Sequence, residues 1–130
     1  MNINKFTIKS QEALQQAQQI AQSFGQQQLE NEHIFKGILE VDENVTPFIL
    51  KKLNVNVELF KKVLDSTIQS FPKVSGSDLM FSRSASSTLT EAEIIAKKMN
   101  DEYVSIEHLI LAIFKSKSKV AQILKDQGVT

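Results

Sequence analysis

Cysteine and tryptophan are missing from the 130 residues, there are only two prolines and four glycines, and a single arginine stands at Arg83. Without cysteine there is no disulfide, no thiolate nucleophile and no cysteine zinc site, which permits a reducing compartment. The dearth of arginine removes the side chain best suited to reading phosphates and base edges. Fifteen basic residues balance fifteen acidic ones, so bulk charge draws the chain neither to nucleic acid nor to anionic lipid. No apolar run approaches the roughly 20 residues of a membrane span. The opening MNINKFTIKSQEAL lacks the basic-then-apolar order of a secretory signal, and a cytoplasmic protein is expected. Gly25, Gly37, Gly76 and Gly128 are too scattered to build a phosphate-cradling loop.

What is present is helical periodicity. Leu14, Ala17, Ala21 and Phe24 recur at spacings of three and four, which predicts a helix over Thr7–Ser23 stopped by Gly25. Further helices are expected over Asn31–Leu39 and Val57–Ser70, with one between them capped by Thr46, opened by Pro47 and burying Phe48, Ile49 and Leu53. Phe71–Met80, with Pro72, Gly76 and two serines, reads as a linker. Beyond it, helices are predicted over Ser82–Met99, Ile106–Phe114 and Val120–Gln127. No stretch alternates in polarity, so strands are not expected and the class is all-α.

An internal duplication sets the architecture. At an offset of 75 residues Phe6 aligns with Phe81, Leu14 with Leu89, Ala17 with Ala92 and Ile20 with Ile95. The register continues to Glu32 and Glu107, His33 and His108, and Ile38 and Ile113 without a gap. A helical hairpin cannot bury its own apolar stripe, so two copies should pack as a pseudo-twofold bundle of seven to eight helices with one shared core. The copies run from about 6 to 70 and from about 81 to 130, the second ending before any counterpart of Val57–Ser70. Their junction is the natural place for a groove.

The helix opening Phe6-Thr7 with Ser10-Gln11-Glu12-Ala13-Leu14, the Glu32-His33-Ile34 turn, and Tyr103-Val104-Ser105-Ile106-Glu107-His108-Leu109 resemble the doubled Clp repeat that begins ClpA, ClpB and ClpC proteins. The ending Ala121–Val129 is most similar to the ClpB branch. The resemblance implies a non-catalytic module that engages unfolded or aggregated polypeptide through an apolar groove. It implies that ATP and magnesium belong to a motor elsewhere in a longer, hexameric protein working with the DnaK system, and that the module alone is a monomer. The family also offers a rival, docking of a folded adaptor in an unfoldase that feeds a protease.

By the same resemblance Thr7, Asp101 and Glu107 match positions of a functional surface patch, while Glu32 and Glu107 match glutamates that recognise phosphorylated arginine in ClpC relatives. Asn31 and Ile106 replace the threonine usual beside them. From the residues alone, Thr7 is a helix cap and Glu107 and Asp101 suit a helix dipole. Tyr103, amphipathic and in a loop, is expected at a groove edge. His33 and His108 each follow a glutamate, yet no nucleophile accompanies them, so a hydrolase cannot be assembled and structural histidines are expected. Phe6, Phe81, Leu14, Leu89, Phe24 and Ile34 are expected in the core, and the lysine pairs at 51–52, 61–62 and 97–98 on solvated faces.

Overall fold

A computed structural model describes residues 3–73 and 78–129. A turn of 3-10 helix, Ile3–Lys5, leads into α1 (Ile8–Ser23), β1 (Gln28–Leu29), α2 (Asn31–Val41), α3 (Val45–Lys52) and α4 (Val57–Gln69). The second copy follows as β2 (Met80–Phe81), α5 (Arg83–Lys98), α6 (Ile106–Lys115) and α7 (Lys119–Asp126). The described residues thus form an all-α bundle of seven helices with minimal sheet.

Equivalent residues of the two copies do equivalent work. Thr7 accepts the amide of Ser10 at 3.1 Å to cap α1, and Ser82 accepts that of Ala85 at 3.0 Å to cap α5. After each long helix the chain turns through the left-handed region, at Gly25 with φ 68° and at its counterpart Asn100 with φ 59°. Glycine and asparagine are the residues that tolerate that conformation best. The second helix of each pair is then pinned by its histidine, whose Nδ1 accepts the backbone amide three residues back: Glu30 to His33 and Ser105 to His108, both at 2.9 Å.

The missed strands are what lock the copies together. β1, just before α2, pairs in parallel with β2, which leads the other copy, and Ser82 donates its amide to the Leu29 carbonyl at 3.0 Å. Reciprocally, Phe6 bridges Val104: Thr7 N–H reaches the Val104 carbonyl at 2.9 Å and Val104 N–H the Lys5 carbonyl at 2.7 Å. Two-residue strands leave no alternation to read, so an expectation of no strands is corrected here. Met80, the last residue of the expected linker, is paired with Gln28, while residues 74–77, including Gly76, lie outside the described residues.

α2 is the hub, packed by α1, α4, α6 and α7. Ile34, Phe35 and Ile38 are fully buried there, each worth about 2 kcal/mol of burial, and the Phe35 and Phe60 rings meet edge to face at 5.3 Å. Gly37 makes the α1 crossing possible. A Cβ at this position would collide with the Ala13 carbonyl oxygen and lie 3.1 Å from the Ala17 amide nitrogen. Phe6, Leu14, Leu89 and Ile34 are buried, with Phe24 and Phe81 packed partly buried against them.

α3 departs from expectation. Its N-cap is Asn44, so Pro47 falls at the third helical position and not the first. Thr46 is buried and donates its hydroxyl to Asp42 at 2.7 Å. That carboxylate also accepts the amides of Asn44, Val45 and Thr46. Burial alone would raise its pKa, but the Thr46 hydroxyl and these amides outweigh burial and hold it below the usual carboxylate range. The helix is also more peripheral than its apolar content suggests. Leu50 is the buried anchor, whereas Phe48 is 60% and Leu53 46% exposed; Lys52 lies over the Phe48 ring at 5.4 Å.

Candidate functional site

The bridge between Phe6 and Val104 brings the lead segment of the first copy against the loop before α6 and the end of α5. A groove of about 380 Å³ opens there, lined among others by Lys5, Glu93, Ile94, Lys97, Asp101 and Val104. Ile94, 42% exposed, supplies an apolar wall, and the mixture of lysines and carboxylates offers donors and acceptors to an extended chain. Tyr103, in the same loop, is 51% exposed. Thr7 adjoins the groove, its backbone donating to the carbonyl of the lining residue Val104, while its hydroxyl caps α1.

Asp101 is held in place by the fold. Its Oδ2 accepts from Nε2 of buried His108 at 2.8 Å, and His108 Nδ1 accepts from Ser105. A backbone amide thus orients the ring, and the ring orients the carboxylate at the groove. His33 stands in the same chain of contacts in the first copy, with Nε2 on Gln26 Oε1 at 2.7 Å. Gln26 is buried and donates to the Ile68 carbonyl at the end of α4, and the Phe71 ring meets His33 edge-on at 5.7 Å. Both histidines therefore have structural partners. The pseudo-equivalent loops differ in kind: glutamines under α4 and Phe71 on one side, acidic residues open to solvent on the other.

Of the acidic candidates, Glu107 is exposed in the first turn of α6. Glu32 is not on a surface, which corrects its expected place among the substrate-binding residues. It is 3% exposed, and its Oε2 accepts the amide of Val120 at 2.7 Å, placing negative charge against the N-terminus of α7. Burial raises its pKa and outweighs the lowering hydrogen bonds from the amides of Val120 and Glu32 itself; nearby Glu30 adds to the rise and Lys119 opposes it. Equal residue types at equivalent positions thus serve different ends. Replacing Glu32 by alanine should cost about 2 kcal/mol in urea unfolding, since the Val120 amide is left without an acceptor. Glu32→Gln, which keeps an acceptor oxygen, should lose less than half of that.

Sequence reasoning reached Asp101, which lines the groove, and Thr7 and Tyr103, which adjoin it beside Val104, and missed Lys5, Ile94 and Lys97. Ile94 carried a signal: it lies next to core residue Ile95, off the buried stripe of α5, and so must face outward.

This geometry coincides with a known domain type. The profile of the Clp repeat (R) N-terminal domain matches residues 5–127, and the chain belongs to that family. More particularly, it is 49% identical over 130 residues to the chaperone protein ClpB of Bacteroides thetaiotaomicron, covering 100% of this chain and 15% of that protein. To the ClpB of Porphyromonas gingivalis it is 40% identical, again over 100% of this chain and 15% of the relative. The chain thus spans about 15% of the length of the curated relatives it matches. The N-terminal domain of Candida albicans Hsp104 has the same fold, with a TM-score of 0.86 at 20% identity over 97% of this chain and 83% of that one. Among the described residues no helix is long and apolar enough to cross a membrane.

Proposed function

We propose that this chain is the polypeptide-binding N-terminal domain of a ClpB-type, ATP-driven protein disaggregase. The observation that carries this reading is the likeness to the ClpB chaperones along the whole of this chain, joined to a groove where Ile94 lies exposed beside the fixed carboxylate of Asp101, with exposed Tyr103 next to its lining residues. The domain is a binding module without catalysis of its own. ATP and magnesium serve a motor elsewhere in a cytoplasmic homohexamer, which works with the DnaK system. Unfolded or aggregated chains lay apolar side chains against Ile94 and Tyr103 while Thr7, Asp101 and Glu107 form a polar rim. Apolar contact tolerates many sequences, and weak binding permits release to the motor.

The test is an NMR titration of the chain with a permanently unfolded protein. Shifts should cluster at Lys5, Ile94 and residues 101–104, and an Ile94→Ser, Tyr103→Ala double variant should weaken binding about tenfold without a change in melting temperature. An unchanged spectrum at high substrate concentration would remove this reading and leave the docking of a folded adaptor as the one to pursue.

A further inference from the structure

Between α5 and α6 the second copy holds a cleft of about 480 Å³, on a different face of α5 from the groove at Asp101 and lined by Ser84, Ser87, Thr88, Glu91, Lys115 and Lys117. Its origin is a pair of substitutions within the duplication. The positions equivalent to Ala13 and Gly37, where α1 and α2 touch backbone to backbone, are Thr88 and Ala112. These positions carry side-chain atoms where the first pair has backbone against backbone, and the contact of α6 with α5 is less extensive than that of α1 with α2.

The cleft is rich in donors. Thr88 is 2% exposed and its Oγ1 has no hydrogen-bond partner, a costly state for a buried hydroxyl. One turn earlier, Ser84 Oγ accepts Nδ2 of buried Asn31 at 3.0 Å, so its own hydrogen is free to point elsewhere. Lys115 and Lys117 line the cleft with one carboxylate, Glu91, which is 3.7 Å from the Lys115 ammonium. The balance is a single positive charge, carried at Lys117.

We infer that this cleft binds a carboxylate, the chain terminus of a polypeptide, with the Ser84, Ser87 and Thr88 hydroxyls and the Lys117 ammonium as donors. A singly charged carboxylate neutralises the site, whereas a phosphate dianion would leave excess negative charge beside Glu91.

Acetate provides the probe, titrated into the isotope-labelled chain against acetamide at matched ionic strength. This reads the cleft independently of any polypeptide binding at Asp101. The amides of Ser84, Thr88 and Lys117 should shift saturably with acetate, with a dissociation constant on the order of millimolar, and stay still with acetamide. Lys117→Gln and Thr88→Val, the second nearly isosteric and lacking the hydroxyl, should each weaken acetate about threefold to tenfold. Lys52→Gln, on remote α3, should change nothing. A peptide with a free C-terminal carboxylate should then compete with acetate and its amidated form should not. Equal responses to acetate and acetamide, or acetate binding untouched by Thr88→Val in a folded variant, would overturn the assignment. Acetate binding without competition by the peptide would overturn its polypeptide source.

Discussion

Gly37→Ala should lower the unfolding free energy by about 3 kcal/mol, at the upper end for overpacking by one methyl group, because the obstacle is backbone. Added to α2, the methyl meets the Ala13 carbonyl and the Ala17 amide of α1, neither of which can rotate away. Relief requires α1 and α2 to separate along the most extensive helix contact in the molecule. Alanine is otherwise the better helix former by about 1 kcal/mol, so any loss measured by urea denaturation understates the clash. The companion Ala112→Gly, at the equivalent place in α6, should cost about 2 kcal/mol, from helix propensity and the loss of one buried methyl group, with no clash. No loss in Gly37→Ala would contradict the backbone contact of α1 with α2 at this position.

Acid should destabilise the domain well before its surface carboxylates are neutralised. Burial lowers the His33 pKa from 6.5 to about 4. Protonation would also require Nδ1 to give up the Glu30 amide, while Gln26 and Phe71 offer no compensating charge. With the folded pKa below the unfolded one, the unfolded chain binds the proton first. Stability is therefore present above pH 6.5 and lost as pH falls towards 4, by about 3 kcal/mol in all. Glu32 works in the opposite sense: its raised pKa makes the folded state bind the proton first, which returns part of that loss as pH falls towards 4.5. Asp42, held low, adds a loss only below its ordinary value of 3.8. Urea midpoints between pH 4.5 and 7 should fall with acid in the parent chain and flatten in His33→Gln. In Glu32→Gln, where the offset is gone, they should fall more steeply. An unchanged slope in His33→Gln would show that the ring does not resist protonation.

The duplication, the helices and their shared core could be read from the sequence because 3.6-residue periodicity and a gapless offset are long-range patterns. The local surprises share a physical cause. Phe48 and Leu53 are apolar, and apolarity alone does not say whether a short helix sits at the centre or the rim. Thr46 has the right chemistry for a cap, but Asp42, four residues earlier, reaches the same amides with a charge. At the site, Thr7 and Asp101 were found through family likeness and Tyr103 through its amphipathic ring in a loop, and the three lie at or beside the loop before α6. Glu32 and Glu107 are identical in type and register, and only the packing of α7 against α2 buries one and leaves the other in solvent.

The crossed strand pairs have a consequence for how such a molecule could have arisen and how it comes apart. Each copy's second helix is entered through a segment hydrogen-bonded to the other copy's lead, Leu29 to Ser82 and Val104 to Thr7. A single copy would expose both its lead segment and the segment before its second helix with no neighbour, and a half-length chain would need a second copy of itself to cover them. Once fused, neither half can loosen alone without breaking the other's anchoring, and the whole bundle becomes one cooperative unit in hydrogen exchange.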